Sequence, residues 1–291
     1  MNKTIVYWCF LLILGSSQAA LASNKTAQKW VPAQLSQSMQ TDLYSKNTGR
    51  SYRVFLSVPS LPPPEGGYPV VYVLDGNALF PLLAVEARSA DQRATRTNSE
   101  PVVIVGIGYP IDGLYDIEAR TEDYTLHKAE HFLSFIQQEL KPIIESNYSI
   151  NRDKQTLFGH SYGGLFTLYA LFNSPSSFQN YIAASPSIWW NERDLLTLLP
   201  EFEKNLQDYP QKINLLLSVG ALEQPQGKII SERDKHLEKR GMISNLEALN
   251  TSLQALKKYC LTTQYYIASG TDHGENAKIA GLKVLEFSAK H

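Results

Sequence analysis

The sequence has little cysteine, almost no net charge and no apolar run long enough to cross a membrane. Two cysteines in 291 residues cannot build the disulfide framework that stabilises small exported domains. Lys and Arg number 27 against 28 Asp and Glu, a formal net charge of -1. No global basic field is therefore available to hold nucleic acid or an anionic bilayer. Zinc-ligand spacing, a P-loop and a dinucleotide fingerprint are also missing from the sequence, so nothing in it calls for a metal or another cofactor. What is present is hydrophobic content of 43% with 19% charged residues. That composition excludes a disordered chain, and the length allows one large core or two smaller ones.

The N-terminus has the layout of a secretory signal peptide: Lys3, an apolar run over 5–14, and Ala20-Leu21-Ala22 as an A-x-A cleavage site. The run is about half the roughly 20 residues that a helix needs to span a bilayer. Its alternatives are an N-terminal core helix or a retained anchor. Cleavage after Ala22 removes Cys9 and leaves Cys260 as the one thiol, with no intramolecular disulfide and a buried, inert thiol as the expectation. The expected mature protein, 23–291, is a single exported domain, periplasmic or secreted, with no stable membrane insertion.

Residues 34–43 and 51–58 alternate apolar and polar side chains, the period of half-buried antiparallel strands. Residues 69–74 (PVVYVL) and 102–107 (VVIVGI) are unbroken β-branched runs that suit strands covered on both faces. Strands are then expected at 155–159, 179–184, 213–219 and 263–268. Helices are expected at 78–97, 128–147, 162–173, 192–206, 232–258 and 276–290, with Pro142 kinking or dividing the second. This alternation predicts an α/β fold: a three-layer sandwich with a mostly parallel sheet and antiparallel N-terminal strands.

Gly159-His160-Ser161-Tyr162-Gly163 matches G-x-S-x-G. Alone the pentapeptide is weak, since composition gives roughly one chance match in ten chains of this length. Its context is stronger: the 155–159 strand precedes it and an apolar helix follows, the order a nucleophile elbow requires. Ser161 is the candidate nucleophile, and a Gly-rich turn without chemistry is the alternative. A serine hydroxyl needs a base to take its proton. His273 follows the last strand, where loops at strand carboxyl ends line the sites of open α/β sheets. His160 is read as structural, His127 and His131 as surface residues, His236 lies in a charged helix, and His291 is terminal. Hydrolases of this chain order place the acid between serine and histidine. Glu223, ending the 213–219 strand, is the choice, with Asp234 as a helical rival and Asp272 as a loop residue. A Ser–His dyad stays open. The oxyanion donors would be the N–H of Tyr162 and, after the 69–74 strand, that of Asn77, with Gly76 permitting a tight turn.

These motifs resemble the putative-esterase (esterase D-like) family of α/β-hydrolases. The resemblance runs through YPVVYVLDGNALF (68–80), PVVIVGIGYP (101–110), RTEDYT (120–125), FLSFIQQELKPIIESNY (132–148), LFGHSYGGLFTLYALF (157–172), YIAASPSIWW (181–190) and DHGEN (272–276). It implies a cofactor-free Ser–His–acid carboxylesterase acting on a small-molecule ester. It also implies roles for Arg120 and Asp123 at the site mouth and for Trp189 and Trp190 in its wall. Read without the resemblance, Arg120 could be a surface ion pair and the tryptophans core aromatics. Within the family, LDGNA and SPS in an exported chain resemble periplasmic siderophore trilactone esterases of the enterobactin and salmochelin type. The sequence departs from those in one place: no long Gly/Ser-rich insertion separates Thr125 from Leu126-His127-Lys128. An acyltransferase, a short-chain esterase unrelated to siderophores, and a non-catalytic ligand-binding protein are the other readings. The cluster Arg88, Arg93 and Arg96 could attract an anionic substrate or be a solvated helix face.

Overall fold

The computed structural model describes residues 29–290, except 98, 126, 127, 226 and 230. The expected signal peptide and His127 thus lie outside the described residues. The chain divides into a short unit, Met1–Gln34, and a main unit, Leu35–His291, to which everything below belongs.

Eight strands form one sheet: β1 Ser38–Tyr44, β2 Ser51–Ser57, β3 Tyr68–Leu74, β4 Val103–Gly108, β5 Ile150–His160, β6 Asn180–Ala184, β7 Ile213–Gly220 and β8 Leu261–Ala268. Their order is β1-β2-β4-β3-β5-β6-β7-β8. β1 pairs β2 and β2 pairs β4 antiparallel, and all later pairs are parallel. The unbroken apolar runs form β3 and β4, both buried from end to end. Alternate residues feed two cores. Val70, Tyr72 and Leu74 join one, and Val71 and Val73 the other. Helices α1 (Gly76–Thr97) and α9 (His273–Lys290) supply the second core, while α5 (Tyr162–Asn173) and α8 (Met242–Gln254) pack into the first. This is the expected three-layer α/β sandwich.

Five local expectations change. β1 is an edge strand with most residues exposed, so its alternation does not report a half-buried face. A helix absent from the sequence reading, α2 (Ile117–Tyr124), forms over the R-T-E-D-Y stretch, with the Asp116 side chain accepting the Ala119 N–H at its start. The 128–147 helix becomes α3 (Ala129–Ser134), a π-helical stretch Phe135–Leu140 and α4 (Lys141–Asn147). The π turns lie just before Pro142, whose missing N–H and ring break regular α-helical bonding. The expected 192–206 helix starts in a 3₁₀ segment, Trp190–Leu198, with left-handed Asn191, Glu192 and Arg193, and becomes α-helical only at α6 (Leu199–Leu206). The 232–258 helix is cut by left-handed Gly241 (φ 54°), which caps α7 (Glu232–Arg240).

Strand order reverses direction at β3, with β4 on one side and β5 on the other. Ligands of open α/β sheets bind outside strand carboxyl ends at such a switch point. The ends of β3 and β5 are where the candidate site residues gather.

Candidate active site

The turn that carries Ser161, the candidate nucleophile, is strained. Ser161 sits at φ 60°, ψ -117° between β5 and α5, a conformation that costs a non-glycine residue of order 1–3 kcal/mol unless its surroundings fix it. They do: the Ser161 N–H donates to Ala184 C=O at 3.0 Å, and its carbonyl accepts from Leu165 and Ser187 N–H at 3.0 and 3.1 Å. The flanking glycines are steric necessities. A Cβ at Gly159 would stand 2.1 Å from the Gly163 carbonyl oxygen, and one at Gly164 would stand 2.9 Å from that of Ala184. Strand and helix can approach this closely only without those side chains.

Three side chains separated by up to 112 residues then align. Ser161 Oγ lies 3.0 Å from His273 Nε2, and His273 Nδ1 lies 2.6 Å from Glu223 Oε2. Glu223 is buried, and its other oxygen accepts from the Gly220 N–H at 2.7 Å and the Ser185 hydroxyl at 2.5 Å. Asn276 Nδ2 donates to Ser185 Oγ at 2.8 Å and to Ser218 Oγ at 3.2 Å. Ser185, Ser218 and Asn276, missed by the sequence reading, thus form a buried scaffold behind the carboxylate. Ser185 and Asn276 lie in the S-P-S and D-H-G-E-N stretches, and Ser218 in the 213–219 strand run. Asp272 is a cap rather than an acid for the histidine: it exchanges bonds with Glu275, 3.0 and 2.9 Å, in a capping box that starts α9 at His273. The helix therefore begins three residues before the expected 276. Asp234 likewise caps α7 with Ser231.

His160 packs its ring against that of His273. Its Nε2 is 2.8 Å from the His273 carbonyl oxygen. Burial first, and then the neighbouring His273, lower its pKa to about 3. The neutral ring donates Nε2–H to that carbonyl and so braces the His273 backbone.

The second turn follows β3. Asp75 adopts φ 52°, and Gly76 opens α1 so close to β4 that a Cβ would meet the Gly106 carbonyl carbon at 2.8 Å. The Asn77 side chain is turned to the loop after β4, accepting the Tyr109 N–H at 2.8 Å and donating to the Tyr109 carbonyl at 3.0 Å. The first intrahelical bonds of α1 come from the Ala78 and Leu79 N–H groups to Asp75 C=O. The Gly76 and Asn77 N–H groups precede them, as the Tyr162 N–H precedes those of α5, and early N–H groups lack intrahelical acceptors. The two turns are neighbours, since a Cβ at Gly163 would touch Leu74 Cβ at 3.4 Å and Asp75 Oδ2 at 3.6 Å.

Arg120 and Asp123 are not at a mouth. Arg120 is buried, and its Nε and one terminal nitrogen each donate to Asp75 at 2.8 Å. Burial opposes its charge, but Asp75 more than offsets this and holds the guanidinium above its usual range. It also lies 5.3 Å from the Tyr162 ring centroid. Asp123 is 1% exposed and accepts from the Tyr52 and Tyr109 hydroxyls, with Arg50 3.1 Å away. Burial nevertheless raises its pKa. α2 carries both residues inward because its buried face, Ala119, Arg120, Asp123 and Tyr124, has helical spacing. Trp189 and Trp190 are half-buried beside Tyr162, with ring centroids 6.3 and 4.9 Å away.

A strand–serine–helix turn in a sheet of this order, with a histidine and a carboxylate aligned on the serine, defines an α/β-hydrolase. The family model described as "Putative esterase" matches residues 45–260, and the chain belongs to that family, serine hydrolases that act on carboxylic ester bonds. Ferri-bacillibactin esterase BesA of Bacillus subtilis is 39% identical over 84% of this chain and 86% of its own. A siderophore enterobactin esterase of Emericella nidulans is 35% identical over 70% and 76%. The crystal structure of the BES protein from Bacillus cereus matches with a TM-score of 0.81 at 35% identity, covering 91% of this chain and 99% of that one.

Proposed function

We propose that the protein is an exported serine esterase that hydrolyses siderophore esters through an acyl-enzyme, with residues 1–22 as its leader and the hydrolase domain in the remainder. The observation that carries the reading is the pair of distances at His273, 3.0 Å to Ser161 Oγ and 2.6 Å to Glu223 Oε2. With Nδ1–H donated to Glu223, the Nε2 lone pair faces the serine hydroxyl. As Ser161 Oγ attacks the ester carbonyl, its proton passes to Nε2, and the imidazolium formed is held by the Glu223 carboxylate. The Tyr162 and Asn77 N–H groups, at two adjacent helix N-termini, receive the developing oxyanion. His273 then protonates the departing alcohol, and water, deprotonated by the same nitrogen, releases the acid. Trp189 and Trp190 form a wall beside Tyr162. Arg120 serves by holding Asp75, and so the oxyanion turn, in place.

The siderophore part of the reading is supported by the relatives, whose names specify ferri-bacillibactin and enterobactin. Incubation with enterobactin followed by mass spectrometry should give linear, hydrolysed product, and Ser161→Ala should give none. Intact trilactone after incubation with the unaltered protein would reject the siderophore substrate. Turnover unchanged by Ser161→Ala would reject the nucleophile. Diversion of the acyl group to an added alcohol, in place of free acid, would mark an acyltransferase instead.

A further inference from the structure

The basic cluster that stands out in the sequence, Arg88, Arg93 and Arg96, lies in the second half of α1, whose first residues form the turn after β3. Arg93 of α1 pairs with Glu86 at 3.2 Å, and both line a groove with Leu282, Leu285 and Ala289 in the second half of α9. His273 is at the opposite end of that helix. Another pair of arginines lies beside the histidine instead. Arg233 and Arg240, near the two ends of α7, line a cleft of about 120 Å³ together with Glu223, His273 and Gly274.

Arg240 is placed like a ligand-binding residue awaiting its anion. Its guanidinium lies 5.0 Å from the Trp189 ring centroid, and Trp189 adjoins Tyr162, the residue after the nucleophile. Stacking on an indole leaves the in-plane N–H groups of a guanidinium free to donate. Its Nε is buried with no hydrogen-bond partner, a state that costs stability until an acceptor arrives. Among the described residues, neither Arg233 nor Arg240 forms an ion pair. The carboxylates of the cleft are engaged elsewhere. Glu223 bonds His273, Ser185 and Gly220, and Asp272 Oδ1 accepts the Glu275 N–H.

We propose that this cleft is an anion subsite. Arg240, aided by Arg233, binds an acidic substituent of the ester substrate, a carboxylate or a catecholate, and so selects anionic esters over neutral ones of similar shape. Arginine suits the task because its planar fork can meet two oxygens of such a group at once. The inference rests on ester cleavage at Ser161, and its test separates the two.

Two matched substrate pairs decide it. In one, the charge is on the acyl side: p-nitrophenyl hemisuccinate against p-nitrophenyl succinamate. In the other it is on the alcohol side: the butyryl ester of 4-hydroxybenzoate against that of 4-hydroxybenzamide. In Arg240→Gln, the ratio of kcat/KM for the anionic over the neutral member should fall about tenfold for at least one pair, carried by KM rather than kcat. Arg233→Gln should lower it less, and Arg240→Lys should restore only part. The pair that responds tells which side of the ester faces the cleft. Arg88→Gln, the same charge change at an exposed position of α1, should leave both ratios where they are. Ratios unmoved in Arg240→Gln for both pairs, or an equal fall in Arg88→Gln, would overturn the subsite. No cleavage of any ester by the unaltered protein would instead overturn the hydrolase reading and the subsite with it.

Discussion

The turns at the ends of β3 and β5 share one backbone device and use it in opposite ways. Each places a non-glycine residue at positive φ, Asp75 at 52° and Ser161 at 60°, and each opens a helix, α1 and α5. At Asp75 the side chain is fully engaged: both carboxylate oxygens are bound by Arg120 at 2.8 Å inside the protein. At Ser161 the strain is held by backbone bonds alone, and Oγ is left to His273 at 3.0 Å and, more weakly, to Ser187 Oγ at 3.4 Å. A strained turn thus serves as a scaffold when its side chain is consumed by a buried partner, and can carry chemistry when the backbone does the holding.

Substitutions that exchange the two situations test this, beginning with the largest effect. Ser161→Ala should lower kcat by roughly 10⁵-fold with the fold intact, measured on a p-nitrophenyl ester. Residual turnover above about a tenth would show that the second turn is not the reactive one. Glu223→Gln keeps the shape but lets the histidine take the wrong tautomer, so kcat should fall roughly 10³–10⁴-fold. A loss of less than tenfold would indicate a Ser–His dyad. Asp75→Gly relieves strain yet strands the Arg120 charge, which should cost ~3–5 kcal/mol in denaturant unfolding. Ser161→Gly relieves the same kind of strain and strands no charge. It should therefore gain stability, by about 1 kcal/mol, and equal signs for the two glycine variants would break the comparison.

His160 adds a pH test to the second turn. Its folded pKa of about 3 lies below the usual 6.5. Between those values the unfolded chain binds a proton that the folded chain refuses. This contribution to stability is complete above pH 6.5 and is lost as the pH falls toward 3. The loss should be on the order of a few kcal/mol by pH 4. His160→Gln, which retains a side-chain N–H for the His273 carbonyl, should flatten that part of the stability profile, and an unchanged profile would place the acid sensitivity elsewhere.

The sequence made the fold legible where one local signal sufficed. Unbroken β-branched runs became β3 and β4, buried on both faces, because burial on both sides removes the need for polar alternation. The elbow was readable because G-x-S-x-G needs its strand and helix in a fixed order. Signals failed where tertiary contacts decided. β1 alternates like a half-buried strand but lies at the sheet edge. Arg120 and Asp123 read as mouth residues, but the inward face of α2 carries them to Asp75 and to Tyr52 and Tyr109. Spacing along the chain does not say which helix face meets the sheet.

The sequence by itself determined the α/β sandwich and the strand–serine–helix order, and it singled out His273 and Glu223 as candidates. These follow from local period, steric needs of glycine and chain order. Tertiary structure alone decided the rest. It brought Ser161, Glu223 and His273 within hydrogen-bond range, placed Ser185 and Asn276 behind the carboxylate, and withdrew Arg120 from solvent. It also brought Arg233 and Arg240, but not the conspicuous arginines of α1, beside the histidine. The reason is physical: charge recognition depends on distance and on competing partners, and neither is written in the order of residues.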